Sequence, residues 1–307
     1  MQASCPPLDG LRDRVILVTG AGKGLGAAFA RALAAAGARV VVNNRIRDGG
    51  ADDASAVAAA IRDDGGEAIA EHSDITAPGA GTAMVNAARA AFGGLDSVVC
   101  NAGITGPARR FGAGAMEALR TVMETNFFAN AALLEAAQPL LEESGSGRVV
   151  LISSSAGLYG LRGRGQYAAS KGALVAFGLS LAEEWRGRIG VNILCPYAAT
   201  RMTGVDPGSE VGQLVTPESV APAAVWLSSA AQERTGEIWL GGGGYLRRVR
   251  IVETVGGRAG TLPDEIDDFA ATQGRLDGAR GFPDAETAFD DFFAMLQDRA
   301  SQAERDR

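Results

Sequence analysis

The chain has 307 residues, of which 47% are hydrophobic and 21% charged, so it can bury the core of one α/β domain. Its net charge of -7 and pI near 5.0 argue against a nucleic-acid surface, and any phosphate would have to be bound locally. No apolar run approaches the roughly 18 residues of a membrane span, the N-terminus lacks a signal-peptide pattern, and three scattered cysteines (Cys5, Cys100 and Cys195) fit a cytoplasmic protein without disulfides.

Short β-branched runs alternate with alanine-rich segments of helical period along most of the chain. This alternation predicts a parallel sheet covered on both faces by helices, a doubly wound Rossmann fold with ligands at the carboxyl ends of its strands. We expect strands near 14–19, 39–43, 67–72, 95–100, 148–153, 189–195 and 236–240. Helices are expected near 24–36, 51–64, 79–92, 115–141, 165–186 and 217–230.

The composition changes near residue 245, which predicts a dinucleotide-binding and catalytic domain over 1–244 and a partly helical extension over 245–307. The extension contains Gly and Pro breaks and a last amphipathic stretch, Ala285 to Ala300. Four of its apolar residues fall near one helical face: Phe289, Phe292, Phe293 and Leu296.

The first predicted strand runs directly into a glycine-rich turn, Thr19-Gly20-Ala21-Gly22-Lys23-Gly24-Leu25-Gly26, which an alanine-rich helix follows. Glycines let the backbone approach a pyrophosphate at a helix N-terminus, where free N–H groups and the helix dipole favour anions. A glycine loop of purely structural purpose is the alternative. The position between a strand and a helix favours a dinucleotide site.

The spacing Thr-Gly-x-x-x-Gly-x-Gly resembles that of the short-chain dehydrogenase/reductase family, and the resemblance continues at Asp74-Ile75 and Asn101-Ala102-Gly103. It implies that the acidic residue after strand three meets the adenine amino group. We expect cofactor contacts from Gly20, Gly22, Lys23, Gly24, Leu25, Gly26, Asn44, Arg45, Asp74, Ile75, Asn101, Ala102, Gly103, Tyr167, Lys171, Pro196 and Thr200.

Tyr167-Ala-Ala-Ser-Lys171 opens a predicted helix, and a spacing of four places the phenol and the ammonium on one helical face. A cation within about 4–6 Å would lower the phenol pKa from its reference of about 10. Lys171 is one of two lysines, Lys23 being the other, against 27 arginines. With His72 as the only histidine, the sequence argues strongly against Ser-His-Asp catalysis and against a histidine-rich metal site, and no metal is expected.

Ser154 stands thirteen residues before Tyr167, at the end of the fifth predicted strand, and is expected to hydrogen-bond the substrate oxygen. Ser153 and Ser155 flank it, so this choice depends on the spacing to Tyr167. The resemblance implies a fourth catalytic residue, Asn126, which holds a water in the proton relay. It also implies that Tyr167 exchanges the hydroxyl proton while hydride passes between nicotinamide and carbonyl carbon, and that Lys171 binds the nicotinamide ribose.

Over about residues 12–255 the chain most resembles the (3R)-hydroxyacyl-CoA dehydrogenase domain of multifunctional β-oxidation enzymes. The resemblance is carried by residues 41–44, 154–160, 200–203, 216–222 and 240–254, and by Pro196-Tyr197 where most of the family has Pro-Gly. It implies a 3-oxoacyl/3-hydroxyacyl thioester as substrate. Ser154, Tyr159, Tyr197 and Met202 are the candidate substrate contacts, and Arg109, Arg110, Arg162 and Arg164 are candidates for binding a CoA or carrier moiety.

Two alternatives stay open: a ketoreductase of the same family acting on a polyketide, steroid or sugar ketone, and a dinucleotide-binding regulatory protein without turnover. The complete set of four catalytic residues argues against the second. The resembling domains usually carry Asp at the end of strand two, whereas this chain has Asn44, followed by Arg45 and Arg47. A neutral and basic arrangement favours NADP(H), with NAD(H) as the alternative.

The helices at 115–141 and 165–186 pair between subunits in proteins that this chain resembles. Small residues on them would allow close approach: Ala129, Ala131, Ala132, Ala176 and Gly178. We therefore expect a homodimer or homotetramer, a small-molecule substrate, and neither a nucleic-acid nor a membrane partner.

Overall fold

The structure, a computed structural model, describes residues 10–47, 49–200, 202–257, 263–273 and 276–294. Its strands are β1 Val15–Val18, β2 Arg39–Asn43, β3 Glu67–Glu71, β4 Ser97–Cys100, β5 Gly147–Ile152, β6 Ile189–Pro196, β7 Glu237–Gly242 and β8 Tyr245–Val249. Its helices are α1 Gly24–Ala35, α2 Asp53–Asp63, α3 Ala80–Phe92, α4 Ala115–Met123, α5 Ala129–Glu143, α6 Ser155–Tyr159, α7 Gly165–Glu184, α8 Glu210–Leu214, α9 Pro217–Ser228 and α10 Pro263–Thr272.

All eight strands form one sheet in the order β3-β2-β1-β4-β5-β6-β7-β8, and β1 to β7 are parallel to their neighbours. Strands such as β1 (VILV) and β4 (SVVC) are buried throughout, as expected where helices cover both faces. The strand order reverses between β1 and β4. This switch point is where a doubly wound sheet forms its ligand crevice, so the predicted Rossmann fold is confirmed.

The predicted strands and helices agree with the structure to within a few residues, and the structure adds two short helices that were not predicted, α6 and α8. Two larger differences concern a predicted helix and the edge of the sheet. The helix expected over 115–141 is interrupted by a π-helical turn, Glu124–Phe128, which lies between α4 and α5. The eighth strand follows β7 after only Gly243-Gly244, both with positive φ, a connection that antiparallel neighbours allow. The exposed and arginine-rich sequence of β8 gave no strand signal.

The chain divides into two compact units, Met1–Arg248 and Val249–Arg307. In the described part of the second, α10 and a helix at residues 285–294 are accompanied by an antiparallel bridge between Glu253 and Arg280. Arg280 also pairs with Asp291 at 2.6 Å. Phe289, Phe292 and Phe293 are largely exposed, while Leu296, like Cys5, lies outside the described residues. No described helix is both long enough and apolar enough to span a membrane.

Candidate active site

A cleft of about 820 Å³ lies over the carboxyl ends of the parallel strands and is lined by residues that follow β1 through β6. All but one of the residues expected to hold the cofactor line it, the exception being Gly22. Two parts of the cleft differ in chemistry. We call the part formed by Lys23, Asn44, Arg45, Arg47, Asp53 and Asp74 the charged end, and the part around Tyr167 and Lys171 the tyrosine end.

The glycine-rich turn brings backbone rather than side chains to the cleft. Gly20 has φ +63°, and a Cβ there would lie 2.9 Å from the Cα of Ala102, so only glycine fits between β1 and β4. A Cβ on Gly26 would lie 2.4 Å from the Gly20 carbonyl oxygen. Lys23, the N-cap of α1, makes no side-chain cap, which leaves the first N–H groups of α1 available at the cleft. This arrangement fits a pyrophosphate group.

Thr19 and Asn101 join the ends of β1 and β4. The Thr19 hydroxyl accepts hydrogen bonds from the backbone N–H groups of Asn101 and Ala102, each at 3.0 Å. The Asn101 side chain donates in return to the Thr19 carbonyl at 2.8 Å. The Asn-Ala-Gly segment therefore fixes the shape of the crevice at the switch point.

Two of the three cations of the charged end are paired. Lys23 forms an ion pair with Asp53 at 3.0 Å, and Arg45 forms one with Asp74. Burial would raise the pKa of Asp74, but hydrogen bonds from the Thr76 backbone and from Arg45 outweigh it and hold that pKa below its ordinary value. Arg47 also lines the cleft and forms no ion pair with any described residue.

Sequence reasoning missed Asp53, because it lies thirty residues from Lys23 and belongs to the next helix. Asp53 begins α2, whose N-cap Asp52 accepts a hydrogen bond from the Ser55 N–H. The capping pattern predicts where α2 begins. Only the parallel pairing of β1 and β2 brings the start of α2 beside α1. A side chain's ion-pair partner across such a crossover is not encoded locally.

Tyr167 and Lys171 lie one turn apart near the start of α7, and both line the cleft. The Lys171 Nζ lies 5.9 Å from the centre of the Tyr167 ring and donates to the Ile152 carbonyl at 2.6 Å. The ammonium is therefore anchored to the end of β5. It is 3% exposed and lies against the sheet rather than in solvent.

The pKa of Tyr167 is raised, whereas a lowered value was expected. Burial of the phenol raises it and outweighs the hydrogen bond with Ser154, which acts in the opposite direction. Burial also lowers the pKa of the neighbouring Lys171 ammonium, to about 8. The phenol is thus a protonated donor at neutral pH.

The three neighbouring serines have different partners. Ser154 lies close enough to the Tyr167 phenol to lower its pKa, and it caps α6 by accepting the Ala156 N–H at 3.2 Å. Ser153 is buried and donates to the Lys171 carbonyl at 2.8 Å, so its hydroxyl is committed to the backbone of α7. Ser155 is the first residue of α6. Ser153 lines the cleft and Ser154 meets it through the contact with Tyr167.

Asn126 lies in the π-helical turn and is fully buried. Its side chain accepts from the Ile104 N–H at 2.8 Å and donates to the Ile104 carbonyl at 2.9 Å. The same amide donates to the Ser170 hydroxyl at 2.9 Å, and the Asn126 carbonyl accepts from the Asn130 side chain at 2.8 Å. Asn126 therefore fixes the segment after Gly103 onto α7, and its side chain does not line the cleft.

The other three predicted substrate contacts, besides Ser154, are placed differently. Met202 lines the cleft, whereas Tyr159 and Tyr197 do not. Tyr159 is 70% exposed at the end of α6, and Tyr197, which follows β6, is about half exposed. The structure thus places Met202 in the cleft and leaves both tyrosines at the surface.

Two buried cysteines flank Lys171, a feature that their scattered positions in the sequence did not suggest. Cys100 ends β4 and Cys195 lies near the end of β6, and neither is exposed. Burial raises the pKa of the Cys100 thiol to about 12 and of the Cys195 thiol to about 11. Both therefore remain neutral beside the ammonium. No group of three described His, Cys, Asp or Glu residues could hold a metal ion.

Residues 14–207 match the family model described as short chain dehydrogenase. The chain belongs to the short-chain dehydrogenase family, whose members use NAD(P), and it is an oxidoreductase acting on CH–OH groups.

Three relatives are similar to this chain in sequence over most of its length. The chain is 34% identical to the mouse peroxisomal multifunctional enzyme type 2 over 79% of its own length, which corresponds to 33% of that enzyme. It is 37% identical to the hydroxyacyl-CoA dehydrogenase ChsB1 of Mycobacterium tuberculosis, over 75% of the chain and 77% of that protein. It is 36% identical to the cis-4-hydroxycyclohexanecarboxylate dehydrogenase of Sinomonas cyclohexanicum, over 76% of the chain and 96% of that protein.

Solved structures of short chain dehydrogenases have the same fold as this chain. A short chain dehydrogenase from Mycobacterium avium superposes with a TM-score of 0.75 at 33% identity, over 88% of this chain and 97% of that one. A short chain dehydrogenase from Shigella flexneri, complexed with NADP, gives a TM-score of 0.68 at 29% identity, over 76% and 98% of the two chains.

Proposed function

We propose that this protein interconverts 3-oxoacyl and 3-hydroxyacyl thioesters, using NADP(H). The observation that carries the proposal is the placement of Tyr167 and Lys171 one helical turn apart at the cleft, with the Lys171 ammonium anchored to the end of β5 and Ser154 close enough to the phenol to lower its pKa. The thioester class is supported by the relatives named as a hydroxyacyl-CoA dehydrogenase and as peroxisomal multifunctional enzymes. Asn126 acts beside this set as the residue that positions it.

When bound, the nicotinamide supplies or accepts the hydride. The chain's own residues handle the proton: in the reducing direction Tyr167 donates its phenol proton to the substrate oxygen, and in the oxidising direction it takes that proton back. Ser154 donates a hydrogen bond to the same oxygen, where negative charge develops. The Lys171 ammonium stabilises the phenolate that remains after proton donation.

The preference for NADP(H) is supported by the charges at the cleft. Three cations (Lys23, Arg45 and Arg47) and two carboxylates (Asp53 and Asp74) line the charged end, leaving it a net charge of +1 in a chain whose net charge is -7. Asn44 adds no charge where an acidic side chain would repel a 2′-phosphate. Arg47 is free to bind that phosphate, and Arg45 and Lys23 can turn toward it from their ion pairs.

A substrate panel tests the proposed substrate class. With NADPH, the enzyme should reduce 3-oxoacyl-CoA substrates with a catalytic efficiency at least about tenfold above that for cyclic ketones. The second candidate, a ketoreductase acting on a cyclic ketone, is favoured by the relative that oxidises a hydroxycyclohexane acid. A panel in which 4-oxocyclohexanecarboxylate or a steroid ketone is the better substrate would establish that candidate instead.

We also propose that the protein forms a homodimer or homotetramer through the helix pair α4–α5 and α7. Exposed apolar side chains lie on or beside these helices, among them Met116 and Phe128, which are 45% and 52% exposed. Light scattering at micromolar concentration should give a mass of two or four chains. A monomer would contradict the proposal.

A further inference from the structure

Two surface segments leave the tyrosine end of the cleft side by side. The first segment, residues 104–114, begins at Ile104, which lines the cleft beside Gly103. The second, residues 160–166, ends just before Tyr167, which also lines the cleft. Together they contain four arginines (Arg109, Arg110, Arg162 and Arg164) and no acidic residue, although the chain as a whole is acidic. We call these two segments the arginine rim.

The two segments run in opposite directions and are held together by hydrogen bonds. The Gln166 side chain donates to the Pro107 carbonyl at 2.6 Å, and the Arg164 side chain donates to the Gly106 carbonyl at 2.6 Å. Further along, the Arg109 N–H donates to the Gly163 carbonyl at 2.9 Å. Arg110 and Arg162 are the next residues beyond this last bond, one in each segment.

The four arginines divide into two pairs with different roles. Arg109 donates to the carbonyls of Ala113 and Gly114, at 2.5 and 3.5 Å, and Arg164 is half-buried on the Gly106 carbonyl. These two guanidinium groups hold the loops. Arg110 and Arg162 are exposed, and neither forms a hydrogen bond or ion pair with any described residue. Two exposed cations on neighbouring segments, without a counter-ion among the described residues, favour the binding of an anion.

We propose that Arg110 and Arg162 bind the phosphate groups of an acyl-CoA substrate, a specificity that rests on the proposed thioester function. The acyl part would enter the cleft at Tyr167, while the nucleotide end, with several negative charges, stays at the rim. Exposed apolar neighbours suit the pantetheine between them: Phe111 is 74% exposed and Leu161 is 53% exposed. Guanidinium groups pair with phosphate through two parallel hydrogen bonds, which makes arginine the suitable residue at both positions.

The test compares two substrates with the same reacting group, a 3-oxoacyl-CoA and the corresponding N-acetylcysteamine thioester, which carries no phosphate. Arg110→Ser and Arg162→Ser should each raise KM for the CoA thioester about five- to tenfold, with kcat unchanged, because a half-solvated charge-assisted contact is lost. KM for the short thioester should not change. Added salt should raise only the wild-type KM for the CoA thioester.

Arg31→Ser, which removes an exposed arginine from α1, is the matched control and should change neither KM. If the rim variants changed both thioesters equally, or neither, Arg110 and Arg162 would not bind phosphate, while turnover of the thioesters would still support the proposed function. Enzyme that reduces neither thioester but reduces a cyclic ketone would overturn both. A larger effect of the variants on an acyl-carrier-protein thioester than on the CoA thioester would replace the small molecule with a protein partner and overturn the inference.

Discussion

The two ends of the cleft are built in different ways. At the tyrosine end, Lys171 is 3% exposed and is anchored to a strand carbonyl, and burial raises the pKa of Tyr167 more than Ser154 lowers it. At the charged end, Lys23 and Arg45 are exposed by 68% and 47%, and their partners are carboxylates rather than backbone. Burial controls the chemistry at the first end, and competition between charges controls it at the second.

This difference predicts how substitutions should behave. A buried polar group that loses its partner is costly. The loss of a single hydroxyl or amine at the tyrosine end should therefore have a large effect on turnover or on stability. Exposed ion pairs are worth about 0–1 kcal/mol each. Substitutions at the charged end should therefore have small effects, and one cation there should be able to take the place of another. The following predictions test that contrast, beginning with the largest effect.

Tyr167→Phe should lose nearly all turnover, about three orders of magnitude or more, while binding the cofactor normally, because it removes only the hydroxyl that exchanges the proton. Steady-state kinetics and cofactor titration measure the two properties separately. Tyr159→Phe, at an exposed tyrosine outside the cleft, is the control and should retain wild-type rates. Substantial turnover by Tyr167→Phe would make the assignment wrong.

Ser154→Ala should lower kcat by about two to three orders of magnitude, because it removes a preorganised hydrogen bond to the reacting oxygen. Ser153→Ala is the matched control. Its hydroxyl donates to the Lys171 carbonyl, so its loss should lower the free energy of unfolding by about 1 kcal/mol and leave most of the turnover. If Ser153→Ala proved the more damaging to kcat, the substrate would be bound by the other serine.

The sequence predicted the tyrosine end more completely than the charged end, for a physical reason. The spacing of Tyr167 and Lys171 on one helix, and of Ser154 at a strand end, is local, and the fold preserves it. The ion pair between Asp53 and Lys23 depends on the crossover from β1 to β2, so it was not predicted. The pKa direction at Tyr167 was also wrong, because sequence gives the neighbouring cation but not the burial of both groups.

The fold shows the same limit. Periodicity predicted seven strands and the major helices, but the π-helical turn that buries Asn126 has no distinct sequence pattern. The strand β8 is almost wholly exposed, so it lacks the apolar alternation that marks a strand. Features that depend on contacts distant in sequence were therefore the ones missed.

The burial of Lys171 predicts a pH dependence of stability in the protein without cofactor. Its pKa is about 8 in the folded state against 10.5 when unperturbed. Between these values the unfolded chain binds more protons, so the free energy of unfolding should rise with pH by about 3 kcal/mol across this window. Below pH 8 the Lys171 ammonium is charged in both the folded and the unfolded chain. The cost of burying this charge then lowers the free energy of unfolding in full.

Denaturant unfolding of wild type and Lys171→Met, from pH 7 to 10.5, measures this effect as the difference between the two proteins. Cys100 and Cys195, whose raised pKa values make stability fall above about pH 9, are common to both and largely cancel. A difference that stays constant over the window would show that Lys171 keeps its ordinary pKa in the folded protein.

The smallest effect is expected at the charged end, in the choice of cofactor. A 2′-phosphate carries nearly two negative charges, and Arg47 can pair with it while Arg45 leaves Asp74. A partly solvated contact of this kind is worth about 1.4 kcal/mol, or a factor of ten in affinity. Wild type should therefore show about tenfold higher catalytic efficiency with NADP(H) than with NAD(H).

Asn44→Asp combined with Arg45→Leu should reverse this preference without lowering kcat on the favoured cofactor, because the carboxylate repels the phosphate and accepts from the ribose hydroxyls. Asp53→Asn sharpens the test: it releases Lys23 from its ion pair and should strengthen the preference for NADP(H) several-fold. If wild type instead preferred NAD(H), Asn44 would bind the ribose diol as Asp does. Arg45 would then remain on Asp74, and the charged end would hold its own ion pairs rather than a phosphate.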